Sequence, residues 1–225
     1  MINVFIGYDQ KEKVAYDVLS YSILKYSSQP VSITPLHLPN LKSIFNRGQE
    51  ALCSTEFSFS RFIVPHLLQY KGWGIFMDCD MLMLQDISHL WNLRDEKYAV
   101  QVCKHNYQPK NSSKFLGKKQ TAYKKKNWSS LMVFNAARCT SLSKAYVHKA
   151  SGLELHQFKW LQSEKMIGSL PLEWNWLAEE YRFNKDIYNI HYTEGGPWFK
   201  DSAGVDYSDL WMTHYHESKA INITQ

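Results

Sequence analysis

"GWGIFMDCDMLML" (72–84) sets apolar residues on either side of two acids, Asp78 and Asp80, which flank Cys79. The apolar flanks read as a buried strand, in which side chains alternate between faces, so residues 78 and 80 point one way and Cys79 the other. Two carboxylates this close on one face repel each other unless a cation sits between them. They follow Ile75, Phe76 and Met77 and so fall at the carboxyl end of a predicted parallel strand, where open α/β sheets bind ligands. That position suits a metal and a diphosphate; a solvated turn is the plainer reading. With ten aspartates in the chain the triplet can arise by chance, and its surroundings have to carry the argument.

Outward from that stretch the chain alternates strands and helices. Residues 2–8, "INVFIGY", are apolar and β-branched and lead into Val14, Val18, Leu19 and Ile23 at helical spacing. "VSITPLHL" (31–38) reads as a strand whose proline places it near a sheet edge. A helical pattern through Phe59, Phe62, Ile63, Leu67 and Leu68 stops at Gly72. Beyond the acids come a short capped helix "DISHLW" (86–91), strands "KYAVQVC" (97–103) and "SSLMVFN" (129–135), and helical patterns over 141–161. An extended piece "GSLPL" (168–172), a tryptophan-rich turn "EWNWL" (173–177), a strand "DIYNIHY" (186–192) and a helix near 206–217 complete the chain. This alternation predicts an α/β fold with a mainly parallel sheet covered on both faces.

The 225 residues allow one sizeable α/β domain or two small ones, and one is the simpler expectation. The net charge of +5 is mild and concentrates in residues 104–126, which are rich in lysine and hold no acid. A local basic surface is expected, not a basic protein. That segment is too long and polar for an ordinary connection and reads either as a lid over a site or as a solvated loop. Cys53, Cys79, Cys103 and Cys139 have no metal-ligand or redox spacing and are too sparse for a disulfide scaffold. No basic leader, cleavage pattern or apolar run near the roughly 18 residues of a membrane span is present, so a cytoplasmic protein is expected.

"NIHYTEGGPWF" (189–199) supplies a second cluster: His191 ends a strand, and Gly195, Gly196 and Pro197 form a turn whose bare backbone can approach an anion. A lone histidine is more often structural. Here histidine and glycine turn sit together at another strand end, and an imidazole could complete an oxygen-rich site for Mn²⁺, which accepts mixed O/N ligation.

Taken in order, "VFIGYD" (4–9), "TEFSFSRFIVPHL" (55–67), "GWGIFMDCDMLML", "QTAYKKKNWSSLMVFN" (120–135), "LHQFKW" (155–160), "LPLEWNWL" (170–177) and "HYTEGGPW" (191–198) resemble the metal-dependent, retaining glycosyltransferases of family 8. That group contains glycogenin and lipopolysaccharide sugar transferases. The resemblance implies a GT-A fold, α/β with a mixed, mainly parallel sheet flanked by helices, in a single domain over 1–225. A donor-nucleotide half would span about 1–103, and an acceptor, lid and C-terminal half about 104–225. It implies transfer of glucose or galactose from a UDP-sugar to a saccharide, lipid-linked sugar or protein. Asp78, Asp80 and His191 would hold Mn²⁺ or Mg²⁺. Gly7, Tyr8 and Asp9 stand where relatives hold uracil and ribose, the backbone of Cys79 would face the ribose, and Arg61 would face donor sugar or diphosphate. Asn127, Ser129 and Ser130 would line the sugar pocket, with Gln157 beneath the reactive carbon.

The chain departs from the commoner family pattern in two places. Gly196 stands where a lysine precedes Pro-Trp, with Gly195 beside it, so Lys200 or a lysine of 104–126 is expected at the phosphate. His156 stands where an acid often precedes the Gln157 position. Trp174, Trp176 and Trp198 are candidates for stacking on sugar or for core packing. The rival reading takes the basic segment, with Tyr107, Phe115, Tyr123 and Trp128, as a nucleic-acid surface and the acids as a nuclease metal site. The absence of further carboxylates and of a nucleic-acid motif counts against it.

Overall fold

In the computed structural model, which describes residues 1–47, 55–106 and 124–220 and the backbone of 113–114 and 118–119, apolar strands assemble into a six-stranded sheet. The first, β1 (Ile2–Gly7), pairs in parallel with β2 (Val31–Leu36) on one side and β3 (Trp73–Met77) on the other. Between β1 and β2 runs α1 (Lys13–Tyr26), which buries Val18, Leu19 and Ile23 along one stripe. Pro35 lies in β2 opposite Ile6, on the edge strand, where a residue without an N–H is tolerated.

The helix expected through 59–68 is broken. After α2 (Leu38–Leu41) come two turns of 3-10 helix, Glu56–Ser58 and Ser60–Ile63, and then α3 (Val64–Leu67). Pro65 has no N–H to donate and fits only a first helical turn. The reversal begins ahead of Gly72, because Gln69 and Tyr70 already have left-handed φ of 53° and 56°.

The run 72–84 is two strands. After β3 ends at Met77, residues 78–80 bend, and β4 (Met81–Met83) joins a different, three-stranded sheet. Next is α4 (Ile87–Asn92), capped by Asp86, whose carboxylate accepts the Ser88 N–H at 2.8 Å. β5 (Val100–Cys103) leads into the lysine-rich segment, of which a short ribbon, β6 (Ser113–Lys114) and β7 (Lys118–Lys119), is described. Its aromatic residues Tyr107, Phe115 and Tyr123, like Cys53, lie outside the described residues.

β8 (Leu131–Asn135) inserts antiparallel between β3 and β5. The helical patterns over 141–161 form two helices, α5 (Lys144–Lys149) and α6 (Gly152–His156), separated by extended backbone at Ala150 and Ser151. β9 (Ile167–Leu170) pairs in parallel with β5 at the far edge, giving the order β2-β1-β3-β8-β5-β9, with only β8 reversed. β10 (Trp176–Leu177) and β11 (Asn189–His191) complete the small sheet, β11 running antiparallel to β4.

The helix α7 (Ser208–Lys219) packs on α1, where Tyr26 Oη meets His214 Nε2 at 2.9 Å and Lys25 pairs with Glu217. It covers a second apolar cluster of Val18, Leu82, Ile190, Tyr192 and Trp211, separate from the main core. Among the described residues no helix is long and apolar enough to cross a membrane. Because this cluster carries the sheet that presents His191, Trp211→Ala is expected to lower stability by about 3–5 kcal/mol. Urea denaturation followed by tyrosine and tryptophan fluorescence measures the loss.

Candidate functional site

The bend between β3 and β4 turns both acids towards the end of β11. Asp78, Asp80 and His191 each offer one ligand atom, and these lie within 4.8 Å of one another. Backbone bonds hold the bend open: Asp78 N–H donates to Ser130 O and Tyr192 N–H to Asp80 O, each at 2.9 Å. Arg61, in the turn before α3, is buried and places Nη1 2.8 Å from Asp78 Oδ1, while His191 Nε2 lies 3.3 Å from Asp80 Oδ1. Nη1 of Arg61 also donates to Ser129 O at 3.0 Å, and its guanidinium lies over Phe76.

The electrostatics favour a cation. Burial pushes the Asp78 carboxyl up to about 7, with Asp80 adding to the shift and Arg61 and His191 opposing it. Asp80 Oδ1 is buried and accepts no hydrogen bond. Two carboxylate oxygens and an imidazole nitrogen form a donor set suited to a hard or borderline divalent ion. Asn175 completes the arrangement: its Nδ2 donates to Ser130 Oγ at 2.8 Å, so Oδ1, 2.8 Å from His191 Nδ1, accepts the imidazole proton. Nε2 is then the nitrogen left with a lone pair facing the acids.

Residues 20–201 match the family described as glycosyl transferase family 8. The chain belongs to that family. This family 8 glycosyltransferase is 44% identical over 223 residues to Protein CDI of Arabidopsis thaliana, covering 95% of this chain and 86% of that protein. Among solved structures it is similar to an active-site mutant of LgtC, with a TM-score of 0.61 at 8% identity over 99% of this chain and 98% of that one. It is also similar to GlyE of Streptococcus pneumoniae, with a TM-score of 0.61 at 12% identity over 96% of this chain, and to the bifunctional glycosyltransferase WbbM, 0.60 at 16% over 95%. The chain spans 61% of the GlyE chain and 49% of the WbbM chain. At these identities the likeness speaks for the fold alone, and that fold is GT-A.

In this glycosyltransferase Tyr8 is half-buried, edge-on to His37 and Tyr16. Asp9 is buried and structural in its contacts, since its carboxylate accepts the N–H groups of Lys11 and Glu56 at 3.0 and 3.2 Å. Gly7 is a packing position: a Cβ there would overlap the Phe57 ring. Cys79 is buried, with its thiol 4.0 Å from Glu12 Oε2. Ser129 Oγ meets His156 Nδ1 at 2.7 Å, and Ser130 Oγ donates to the carbonyl of Asn127, which has left-handed φ of 60°.

The glycine turn is less bare than its sequence suggests. Gly195 takes φ of 108°, as glycine permits, but the side on which Gly196 would carry a Cβ is filled by the Trp198 ring. Trp198 packs on Trp211 and Tyr192, Trp176 on Tyr181, and Trp174 is buried, so all three tryptophans serve packing. Lys200 is exposed at the start of the turn Lys200–Ser202, and among the described residues no ion pair joins it to the acids. Among the described residues the group is two carboxylates and an imidazole, and it is the family match that favours a transferase over the nuclease reading.

Gln157 is the C-cap of α6. The two N–H groups beyond it close a Schellman turn, Phe158 to Leu155 O and Lys159 to Glu154 O, each at 3.0 Å, with Phe158 at φ 59° where glycine is usual. Lys125 Nζ donates to the carbonyl of Gln157 at 3.0 Å.

Reading the sequence did not single out Asn175 or Glu12. A polar residue between two tryptophans in "EWNWL" is the signal that could have marked Asn175, since a buried amide demands partners. Glu12 reads as an ordinary helix-start acid, yet it is buried, and burial, reinforced by Asp80, Asp9 and Asp78, pushes it up to about 9. It is therefore neutral at physiological pH.

Because Asp78 is protonated below about pH 7, a metal binding there must displace that proton. Mn²⁺ affinity, measured by electron paramagnetic resonance titration, is expected to fall by up to about tenfold per pH unit as pH drops below that value and to level off above it. Asn175→Leu releases the imidazole orientation and is expected to weaken Mn²⁺ binding by about 10–100-fold while circular dichroism stays native.

Proposed function

We propose that the chain transfers a hexose, glucose or galactose, from a UDP-sugar to an acceptor hydroxyl with retention of anomeric configuration. The observation that carries the reading is the convergence of two carboxylates, an imidazole and a buried guanidinium at the end of β3 in a family 8 chain. LgtC, to which the fold is similar, is described as a galactosyltransferase crystallised with donor and acceptor sugar analogs. The donor half is residues 1–103, and the acceptor half 104–225.

In this reading uracil stacks on Tyr8, beside Gly7 and the loop ordered by Asp9, and the ribose lies against the Cys79 backbone. Asp78, Asp80 and His191 hold Mn²⁺, with Mg²⁺ as the substitute. When bound, the metal supplies Lewis-acid charge to the departing diphosphate. Arg61 adds fixed positive charge from a buried position, where it needs no reorganisation as charge develops. Lys200 and the turn Gly195–Gly196 stand for the phosphate contact that relatives make with a lysine. Asn127, Ser129 and Ser130 line the sugar, and Gln157 lies beneath its anomeric carbon.

The bond from that carbon to the phosphate oxygen breaks as the acceptor oxygen bonds on the same face, and the departing phosphate takes the hydroxyl proton. A covalent intermediate is disfavoured because Gln157 is no nucleophile. The acceptor is a saccharide, a lipid-linked sugar or a protein. The buried free thiols of Cys79, Cys103 and Cys139 accord with the reducing cytoplasm.

A thermal-shift panel tests the reading. UDP with Mn²⁺ is expected to raise the melting temperature well above either alone, and Asp80→Asn to remove the metal-dependent part. Equal stabilisation by any polyanion, with no metal requirement, would sink the proposal.

A further inference from the structure

Lys125 sits at the exit of the lysine-rich segment in left-handed backbone, φ 64°. Its ammonium donates to the Gln157 carbonyl at 3.0 Å and to the Glu164 carboxylate at 2.6 Å. The Lys125 side chain is 13% exposed and that of Glu164 81%. An ion pair with so exposed an acid contributes little and does not explain why the lysine is held half-buried. The carbonyl does: it belongs to a helix C-terminus, where the last C=O groups lack intrahelical partners. The turn it terminates is held by Phe158 in a conformation that a residue with a Cβ adopts reluctantly. Trp128 closes the arrangement, lying 5.9 Å from the ammonium and 6.4 Å from the Phe158 ring.

We propose that Lys125 is a positioning residue: its ammonium anchors the C-cap carbonyl of Gln157, and so sets where the Gln157 side chain stands. The consequence for catalysis rests on the placement of Gln157 beneath the donor sugar given above. Lys104 and Lys124 also act on Glu164, so removing Lys125 leaves that acid with positive neighbours, and a defect is not the effect of a stranded carboxylate.

The test compares Lys125→Met, Lys125→Arg and Glu164→Gln by hydrogen exchange of the 158 and 159 amides, and by hydrolysis of UDP-glucose and UDP-galactose with Mn²⁺. In Lys125→Met the two amides are expected to exchange faster, and kcat to fall by about tenfold or more with KM within about twofold of wild type. Lys125→Arg is expected to recover most of both, and Glu164→Gln to resemble wild type. Unchanged exchange in Lys125→Met, a full copy of its defect in Glu164→Gln, or a raised KM at constant kcat overturns the proposal. If the wild type hydrolyses neither sugar nucleotide, the donor reading fails, while the exchange measurement still decides the anchoring of Gln157.

Discussion

Asp78 and Asp80 share a corner from which water is largely removed, and the repulsion between them is the constraint on which the surrounding structure depends. Arg61 answers one carboxylate, while the other faces the Nε2 lone pair of His191 and, among the described residues, is left without a cation of the protein's own. For both acids to reach the same corner, β3 must stop at Met77 and the chain must leave the main sheet at once. Glu12, buried near these acids, answers their field by taking up a proton and so adds no charge of its own. A place that binds a divalent ion is thus built by crowding acids beyond what the protein's own cations neutralise.

The second sheet exists to serve that corner. β4 carries the chain out of the bend, and β11 brings His191 back antiparallel to it, with His191 opposite Met81. Asn175, on the turn before β10, ties the imidazole to Ser130 and through it to the turn before β8. One hydrogen-bonded chain therefore joins the metal group to the sugar-pocket residues of the proposed reading. The apolar cluster under α7 supplies the rigidity such a chain needs, since polar contacts set direction but packing holds position.

Much of this was legible in residue order. Strand positions followed from short apolar β-branched runs, and the acids announced themselves by standing at the end of one. One helix was read as more regular than it is: the run through 59–68, whose apolar spacing is helical throughout, is 3-10 turns followed by a short α-helix that holds Pro65 in its first turn. Periodicity reports which face is buried, not whether the backbone bonds continue. The glycine turn misled in another way, because a missing side chain at Gly196 signals space near the backbone without saying that Trp198 fills it.

What the sequence determined by itself is the strands of the main sheet, the two acids at a strand end, the histidine at another, and the family to which the chain belongs, all properties of local pattern. Only the tertiary structure decided that β8 is reversed, that Glu12 and Asn175 belong to the site, and that Arg61 pairs with Asp78 across 17 positions of chain. The physical reason is common to these cases. Reversal, burial of a charge and choice of an ion-pair partner depend on what packs alongside from distant segments, and no local spacing encodes that neighbour.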